Sequence, residues 1–173
     1  MSDDAPALLR AIEWCTEPSP VLPGYIASWL METGSMTQRL ETYCTQLTVE
    51  LCNERFVISS ELCDEREHLP ASERYWLREV VLYGDERPWL FGRTLIPLQT
   101  LEGAGSGLKA IGDEPLGRYL FQQETLTRDY IHTGCCAGLW ARRSRLCLSG
   151  SPFLLTELFL PEAPLYFTDS CEG

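Results

Sequence analysis

The chain has 173 residues, of which 45% are hydrophobic and 23% are charged, and its net charge is −11. This length and composition predict one soluble globular domain over residues 1–173. The acidic balance argues against nucleic-acid binding and against an anionic membrane surface. No apolar run reaches the roughly 18–20 residues of a membrane span. The acidic N-terminus lacks a signal-peptide pattern, so we expect a cytoplasmic protein without stable membrane insertion.

Cysteine and histidine use argues against a metal site. The eight cysteines show no C-x-x-C spacing, and only His68 and His132 could complete a zinc site. Without a secretory signal a disulfide framework is not expected, so we predict reduced, partly buried cysteines. Of the 14 basic residues only Lys109 is a lysine. This reflects either planar recognition of carboxylates by arginine or a compositional bias of the source organism.

Three helices are predicted in the first part of the chain. Apolar residues at helical spacing predict helices over residues 5–15 and 23–32. Ser35-Met36-Thr37-Gln38 has the form of a capping box, so a third helix should begin at Ser35 and run to about residue 44. Residues 47–58 are rich in β-formers and predict a strand.

A repeat occupies the second part of the chain. Residues 75–97 align without gaps onto residues 139–161 at an offset of 64, with six identities in 23 positions. Each copy reads as a β-hairpin, and each is preceded by a predicted helix and strand. The repeat therefore extends over about residues 35–97 and 115–161. We predict an α+β fold with a six-stranded, mainly antiparallel sheet and helices on one face.

Glu157 is a carboxylate within an otherwise apolar strand, Phe153 to Pro161. It lies either on a solvated strand face or in a site that pairs or hydrogen-bonds it, because an isolated buried carboxylate is costly. The repeat aligns Glu157 with Arg93, so both charges are expected either to face one central cavity or to form a structural ion pair. Arg78 shares a strand face with Trp76. This arrangement indicates either that Arg78 binds a planar anion or that it is a surface arginine stacked on the tryptophan ring.

Two predicted helix starts add candidate anion donors. Met36 follows the capping residue Ser35, and Leu116 follows Pro115, which has no N–H of its own. Backbone N–H groups in the first turn of a helix bind carboxylates and phosphates. The sequence contains no glycine-rich phosphate motif in a strand–turn–helix context and almost no histidine, so phosphate chemistry and histidine-dependent nucleophilic catalysis are not expected.

Several ordered segments of the chain resemble the chorismate pyruvate-lyase family. They are ERYWLRE (73–79), PWLFGRT (88–94), PLGRYLF (115–121), LTRD (126–129), and LWARRSR through TELFLP (139–161). The resemblance covers roughly residues 6–166. Members of this family convert chorismate into 4-hydroxybenzoate and pyruvate at the head of ubiquinone biosynthesis.

The resemblance implies a monomer with an antiparallel sheet, an internal ligand cavity covered by helical flaps, and no metal or organic cofactor. It also implies substrate contacts at Met36, Arg78, Leu116 and Glu157. Glu157 would bind the ring hydroxyl and either protonate the departing ether oxygen or only position the substrate, while Arg93 would hold the enolpyruvyl carboxylate. The alternative is a non-catalytic module that binds a small carboxylate effector, because the same fold is similar to ligand-sensing domains of bacterial transcription regulators.

Overall fold

The computed structural model describes residues 5–15, 22–111, 114–120 and 122–167. The strands are β1 Glu13–Cys15, β2 Leu47–Val57, β3 Tyr75–Gly84, β4 Arg87–Pro97, β5 Leu126–Cys136, β6 Leu139–Leu148 and β7 Ser151–Phe159. The α-helices are α1 Ala5–Arg10, α2 Gly24–Leu30, α3 Met36–Glu41, α4 Leu98–Glu102 and α5 Leu116–Leu120. Short 3-10 segments cover Ser59–Glu61, Asp64–His68, Leu108–Ala110 and Pro164–Tyr166. No helix in these ranges is long and apolar enough to cross a membrane.

All seven strands form one antiparallel sheet in the order β1-β5-β6-β7-β4-β3-β2. Three of the connections are two-residue turns whose residues all have positive φ: Asp85-Glu86, Ala137-Gly138 and Ser149-Gly150. Such turns match the twist of the paired strands. The predicted hairpins β3–β4 and β6–β7 are confirmed and lie side by side at the centre of the sheet. This symmetry is what a duplication would produce, and the duplication itself stays a prediction.

Three predictions about the fold are wrong in detail. The predicted helix over residues 5–15 ends at Arg10, and Glu13–Cys15 pairs with the edge strand β5, which makes seven strands rather than six. The helices cover both faces. Leu9 of α1 packs with Val81 and Phe91 on one face, whereas α2 to α5 pack on the other. Apolar spacing located these helices but carried no information about which face of the sheet each one covers.

The other helix and strand predictions fit closely. The predicted helix over 23–32 is α2, and Ser35 caps α3 by accepting a hydrogen bond from the Gln38 N–H at 3.2 Å. The helix predicted before the second hairpin begins at Leu116, directly after Pro115. The exposure of the cysteines differs from the expectation of partly buried side chains. Seven are free thiols in the described part, and four of these are exposed: Cys15, Cys52, Cys63 and Cys135.

A β-bulge sets the register of the first hairpin. Leu82 pairs with Leu90 and Tyr83 pairs with Pro88, so Trp89 is an extra residue in β4. The Trp89 ring packs over Gly84, where a Cβ would lie only 2.1 Å from it. The second hairpin pairs Leu146 with Phe153 and Leu148 with Ser151 without such an insertion. The two hairpins therefore differ by one residue of register.

Arginines fix the segment between β2 and β3 to the sheet face opposite α3. Arg143 donates to Asp64 and to His68 Nε2, both at 3.0 Å. Arg145 donates to the His68 carbonyl at 2.9 Å. Because Arg143 donates to Nε2, the other ring nitrogen of His68 carries the proton and contacts the Tyr130 hydroxyl. This arrangement requires the neutral form of His68.

The pKa of His68 is lowered by burial and further by Arg143 and His132, which together outweigh Asp64 and Glu67. The unfolded chain takes up this proton at about pH 6.5, whereas the folded chain resists it. The stability that neutral His68 contributes is therefore complete above about pH 6.5 and is lost as the pH falls from there towards the folded-state pKa.

We expect the free energy of unfolding to fall between about pH 7.5 and about pH 5.5, and to fall less in a His68→Gln variant, which has no proton to gain there. Urea denaturation of both proteins at the two pH values measures this difference. Equal falls in the parent and the variant would show that His68 does not titrate against folding.

Candidate active site

A cavity lies between the central strands of the sheet and the first turns of α3 and α5. Its apolar lining consists of Met36, Val80, Leu82, Leu90, Leu116, Leu120, Leu146 and Leu155. Its charged lining consists of three arginines and one carboxylate: Arg78, Arg128, Arg142 and Glu157. An apolar pocket with a few converging polar groups, and with more positive than negative charge, suits a small aromatic or cyclic anion.

Two transverse rows of the sheet form the floor of the cavity. One row runs Arg142–Glu157–Gly92–Val80 across β6, β7, β4 and β3. The next row runs Ser144–Leu155–Thr94–Arg78 across the same strands. Glu157 and Arg78 are thus two strands and two residues apart, roughly 10 Å or more between their backbones. The floor places a carboxylate and a guanidinium at opposite ends of an apolar surface.

Glu157 is held by an ion pair with Arg142. The Arg142 Nε donates to Glu157 Oε1 at 2.7 Å, and the two residues are 1% and 4% exposed. The Arg142 Nη1 also donates to the carbonyls of Leu30 and Glu32 at 3.3 and 2.7 Å. These carbonyls lie at the C-terminal end of α2, where a positive charge is favourable. One guanidinium thus joins the cavity floor to the end of α2.

Arg78 is 1% exposed and stands at the other end of the floor. Its Nη2 donates to the Glu114 carbonyl at 2.8 Å, in the segment that leads into α5, and its Nη1 lies 3.5 Å from Glu54 on β2. Arg78 is therefore fixed in place by groups outside the cavity while lining the cavity itself. A fixed, buried guanidinium is a suitable partner for a carboxylate.

Met36 and Leu116 both line the cavity from the first residues of α3 and α5. The two helices approach closely because Gly117 has no side chain. A Cβ at Gly117 would lie 2.7 Å from the Thr37 hydroxyl. On the outer surface Arg118 of α5 pairs with Glu41 of α3 at 3.0 Å. The structure therefore brings Met36, Leu116, Arg78 and Glu157 around one cavity.

The expectation that Arg93 faces this cavity is wrong, and so is the alternative that it pairs with Glu157. Arg93 lies on the opposite face, where it pairs with Glu65 at 2.9 Å and with Glu79 at 2.8 Å. Burial alone would lower the pKa of Arg93, but these two carboxylates raise it. The cause is the Trp89 bulge, because the inserted residue leaves Thr94, and not Arg93, opposite Arg78.

The sequence interpretation missed two cavity residues, Arg142 and Arg128. The repeat aligned Arg142 with Arg78, and two equivalent arginines on one sheet face were a usable signal for it. Arg128 gave no such signal, because its direction depends on a bulge in β5.

Within the described residues, no three histidine, cysteine, aspartate or glutamate side chains lie together so as to hold a metal ion.

The ion pair of Arg142 with Glu157 gives a stability prediction. Arg142→Gln leaves a buried carboxylate and two helix-end carbonyls without their donor, so we expect a loss of about 3 kcal/mol in the free energy of unfolding. The exposed pair of Arg118 with Glu41 supplies the control, since Arg118→Gln should cost under about 1 kcal/mol. Urea denaturation measures both, and equal losses would contradict the structural role of Arg142.

Comparison with known proteins identifies the family of the chain. A family model described as Chorismate lyase matches residues 9–170. The chorismate pyruvate-lyase of Pectobacterium atrosepticum is 70% identical over 173 residues, which cover 100% of this chain and 98% of that protein. The chorismate pyruvate-lyase of Serratia proteamaculans is 55% identical over 170 residues and covers 98% of each chain.

Solved structures share the fold at low identity. The effector domain of PhnF from Mycobacterium smegmatis matches with a TM-score of 0.54 and 12% identity, covering 76% of this chain and 91% of that chain. The C-terminal domain of the histidine utilization repressor from Pseudomonas syringae pv. tomato matches with a TM-score of 0.53 and 16% identity, covering 68% and 92%. These likenesses concern the fold alone. Because the family model and the relatives match over nearly the whole length, the chain belongs to the chorismate lyase family.

Proposed function

We propose that this protein is a chorismate pyruvate-lyase, which converts chorismate into 4-hydroxybenzoate and pyruvate in ubiquinone biosynthesis. The observation that carries the proposal is the cavity floor, with Arg78 at one end and the Arg142-held Glu157 at the other. The product has a carboxylate and a hydroxyl at opposite ends of an apolar ring. The relatives that carry this name are up to 70% identical to the chain, which supports the same assignment.

The ring carboxylate is held by the Arg78 guanidinium and by backbone N–H groups at Met36 and Leu116. All three residues line the cavity at its Arg78 end and roof. The guanidinium supplies two parallel donors, and N–H groups at helix starts add donors that carry partial positive charge. The N-terminal turns of α3 and α5 then act as flaps over the ligand.

Glu157 binds the ring hydroxyl. Its Oε1 accepts a hydrogen bond from the Arg142 Nε at 2.7 Å, so Glu157 meets the ligand as a hydrogen-bond acceptor. We therefore assign it the positioning role rather than protonation of the departing ether oxygen. Loss of pyruvate breaks the ether bond and removes a ring hydrogen, and the ring becomes aromatic. Aromatisation drives the reaction, so the protein contributes mainly orientation and charge stabilisation.

We propose that the protein acts as a monomer, since one chain supplies both the sheet and the helices that line the cavity. The acidic surface agrees with a protein that acts on a small molecule in the cytoplasm. No cofactor enters the proposed chemistry. The experiment that tests the proposal follows the absorbance of 4-hydroxybenzoate and the release of pyruvate when the purified protein is incubated with chorismate.

We expect equal amounts of 4-hydroxybenzoate and pyruvate, with the same rate in the presence of EDTA. Turnover that EDTA abolishes would contradict catalysis by side chains alone. Binding of 4-hydroxybenzoate without any turnover would instead identify the chain as an effector-binding module, which is the function of the other class that the fold allows.

Arg78→Lys tests the carboxylate clamp. Lysine keeps the charge but loses the planar pair of donors, so we expect the affinity for 4-hydroxybenzoate to fall about tenfold. Isothermal titration calorimetry measures this, with Arg118→Lys on the outer surface of α5 as the matched control. An unchanged affinity in Arg78→Lys would remove Arg78 from the proposed site.

A further inference from the structure

Among the residues that the structure describes, Arg128 is the cavity arginine without an acidic partner. Arg142 pairs with Glu157, and Arg78 lies 3.5 Å from Glu54. Arg128 forms no ion pair with a carboxylate of the described residues, and its Nη1 donates only to the Ser144 hydroxyl, at 2.9 Å. Burial lowers the pKa of Arg128, and the neighbouring charge of Arg142 lowers it further. An anion bound here would compensate a guanidinium that is partly desolvated beside another one.

A β-bulge directs Arg128 into the cavity. Arg128 pairs with Leu146, and Tyr130 pairs with Arg145, so Asp129 is an extra residue in β5. Without it, Arg128 and Tyr130 would share one face of the sheet. With it, Arg128 lines the cavity while Tyr130 contacts His68 on the opposite face. The adjacent carboxylate of Asp129 is drawn to Arg145, at 2.8 Å, and leaves Arg128 uncompensated.

Arg128 lies at the same end of the cavity as Glu157, whereas Arg78 lies at the other end. Its guanidinium reaches Ser144, which lies in the floor row Ser144–Leu155–Thr94–Arg78, three strands away from Arg78. On this side it lies near Arg142 and Glu157, both of which influence its pKa. A ligand whose ring carboxylate is at Arg78 therefore presents its far end to both Glu157 and Arg128.

The charges of substrate and product differ at this far end. Chorismate has a second carboxylate, on the enolpyruvyl ether next to the ring hydroxyl, whereas 4-hydroxybenzoate has only the ring carboxylate. We propose that Arg128 binds the enolpyruvyl carboxylate of the substrate and so distinguishes dianionic substrate from monoanionic product. This assignment rests on the proposed function, and it gives Arg128 the role that the sequence pattern had given to Arg93.

The test compares two ligands in one variant. The first is 4-hydroxybenzoate, and the second is 4-hydroxybenzoate that carries a carboxymethyl ether on the neighbouring ring carbon, which mimics the dianion and cannot react. We expect Arg128→Gln to weaken the dianion about tenfold to a hundredfold in calorimetry, and to change the affinity for 4-hydroxybenzoate less than about threefold. We also expect the KM for chorismate to rise by a similar factor.

Arg118→Gln is the matched control, because it removes the same charge from the outer surface of α5, where Arg118 pairs with Glu41 and does not line the cavity. Arg128→Lys keeps the charge and should weaken the dianion less than Arg128→Gln does. Binding of 4-hydroxybenzoate reports that the cavity of each variant is folded. An equal loss of both ligands, or no loss of the dianion, would overturn the assignment. Absence of turnover by the parent would instead refute the proposed function, while the ligand comparison still decides the role of Arg128.

Discussion

The ion pair of Arg142 with Glu157 is the interaction on which the rest of the site depends. It places a carboxylate on the floor of an apolar cavity, where an unpaired charge would cost several kcal/mol. The same guanidinium donates to the carbonyls of Leu30, the last residue of α2, and of Glu32 at 3.3 and 2.7 Å, so it also ties the end of α2 to the sheet. One guanidinium thus holds the carboxylate of the cavity floor and the end of α2 at the same time.

The second constraint is register. In a sheet, a shift of one residue moves a side chain to the opposite face. The insertion of Trp89 in β4 turns Arg93 away from the cavity, and the insertion of Asp129 in β5 turns Arg128 towards it. Two bulges therefore decide which of these arginines line the cavity. The arginines of the other face instead fasten the segment Asp64–His68 to the sheet.

These constraints explain how far sequence reasoning reached. The capped start of α3, the strand β2 and both hairpins follow from local patterns, and Glu157 stood out as a charge in an apolar strand. Two helix starts indicated Met36 and Leu116, and a strand face indicated Arg78. The family resemblance implied the same residues, which the structure places around one cavity. Arg93 was misplaced because a gapless alignment does not reveal a bulge. The partner of Glu157 was missed because cross-strand pairing depends on register, which periodicity alone does not determine.

The central claim is that the Arg142-held carboxylate of Glu157 recognises the ring hydroxyl of the ligand. The most direct measurement compares the affinities of 4-hydroxybenzoate and benzoate for the parent and for Glu157→Gln by calorimetry. General damage to the cavity affects both ligands and cancels in their ratio. We expect the preference for 4-hydroxybenzoate to fall about tenfold in the variant, because a neutral acceptor replaces a charged one. A preference that stays at the parent value would contradict it.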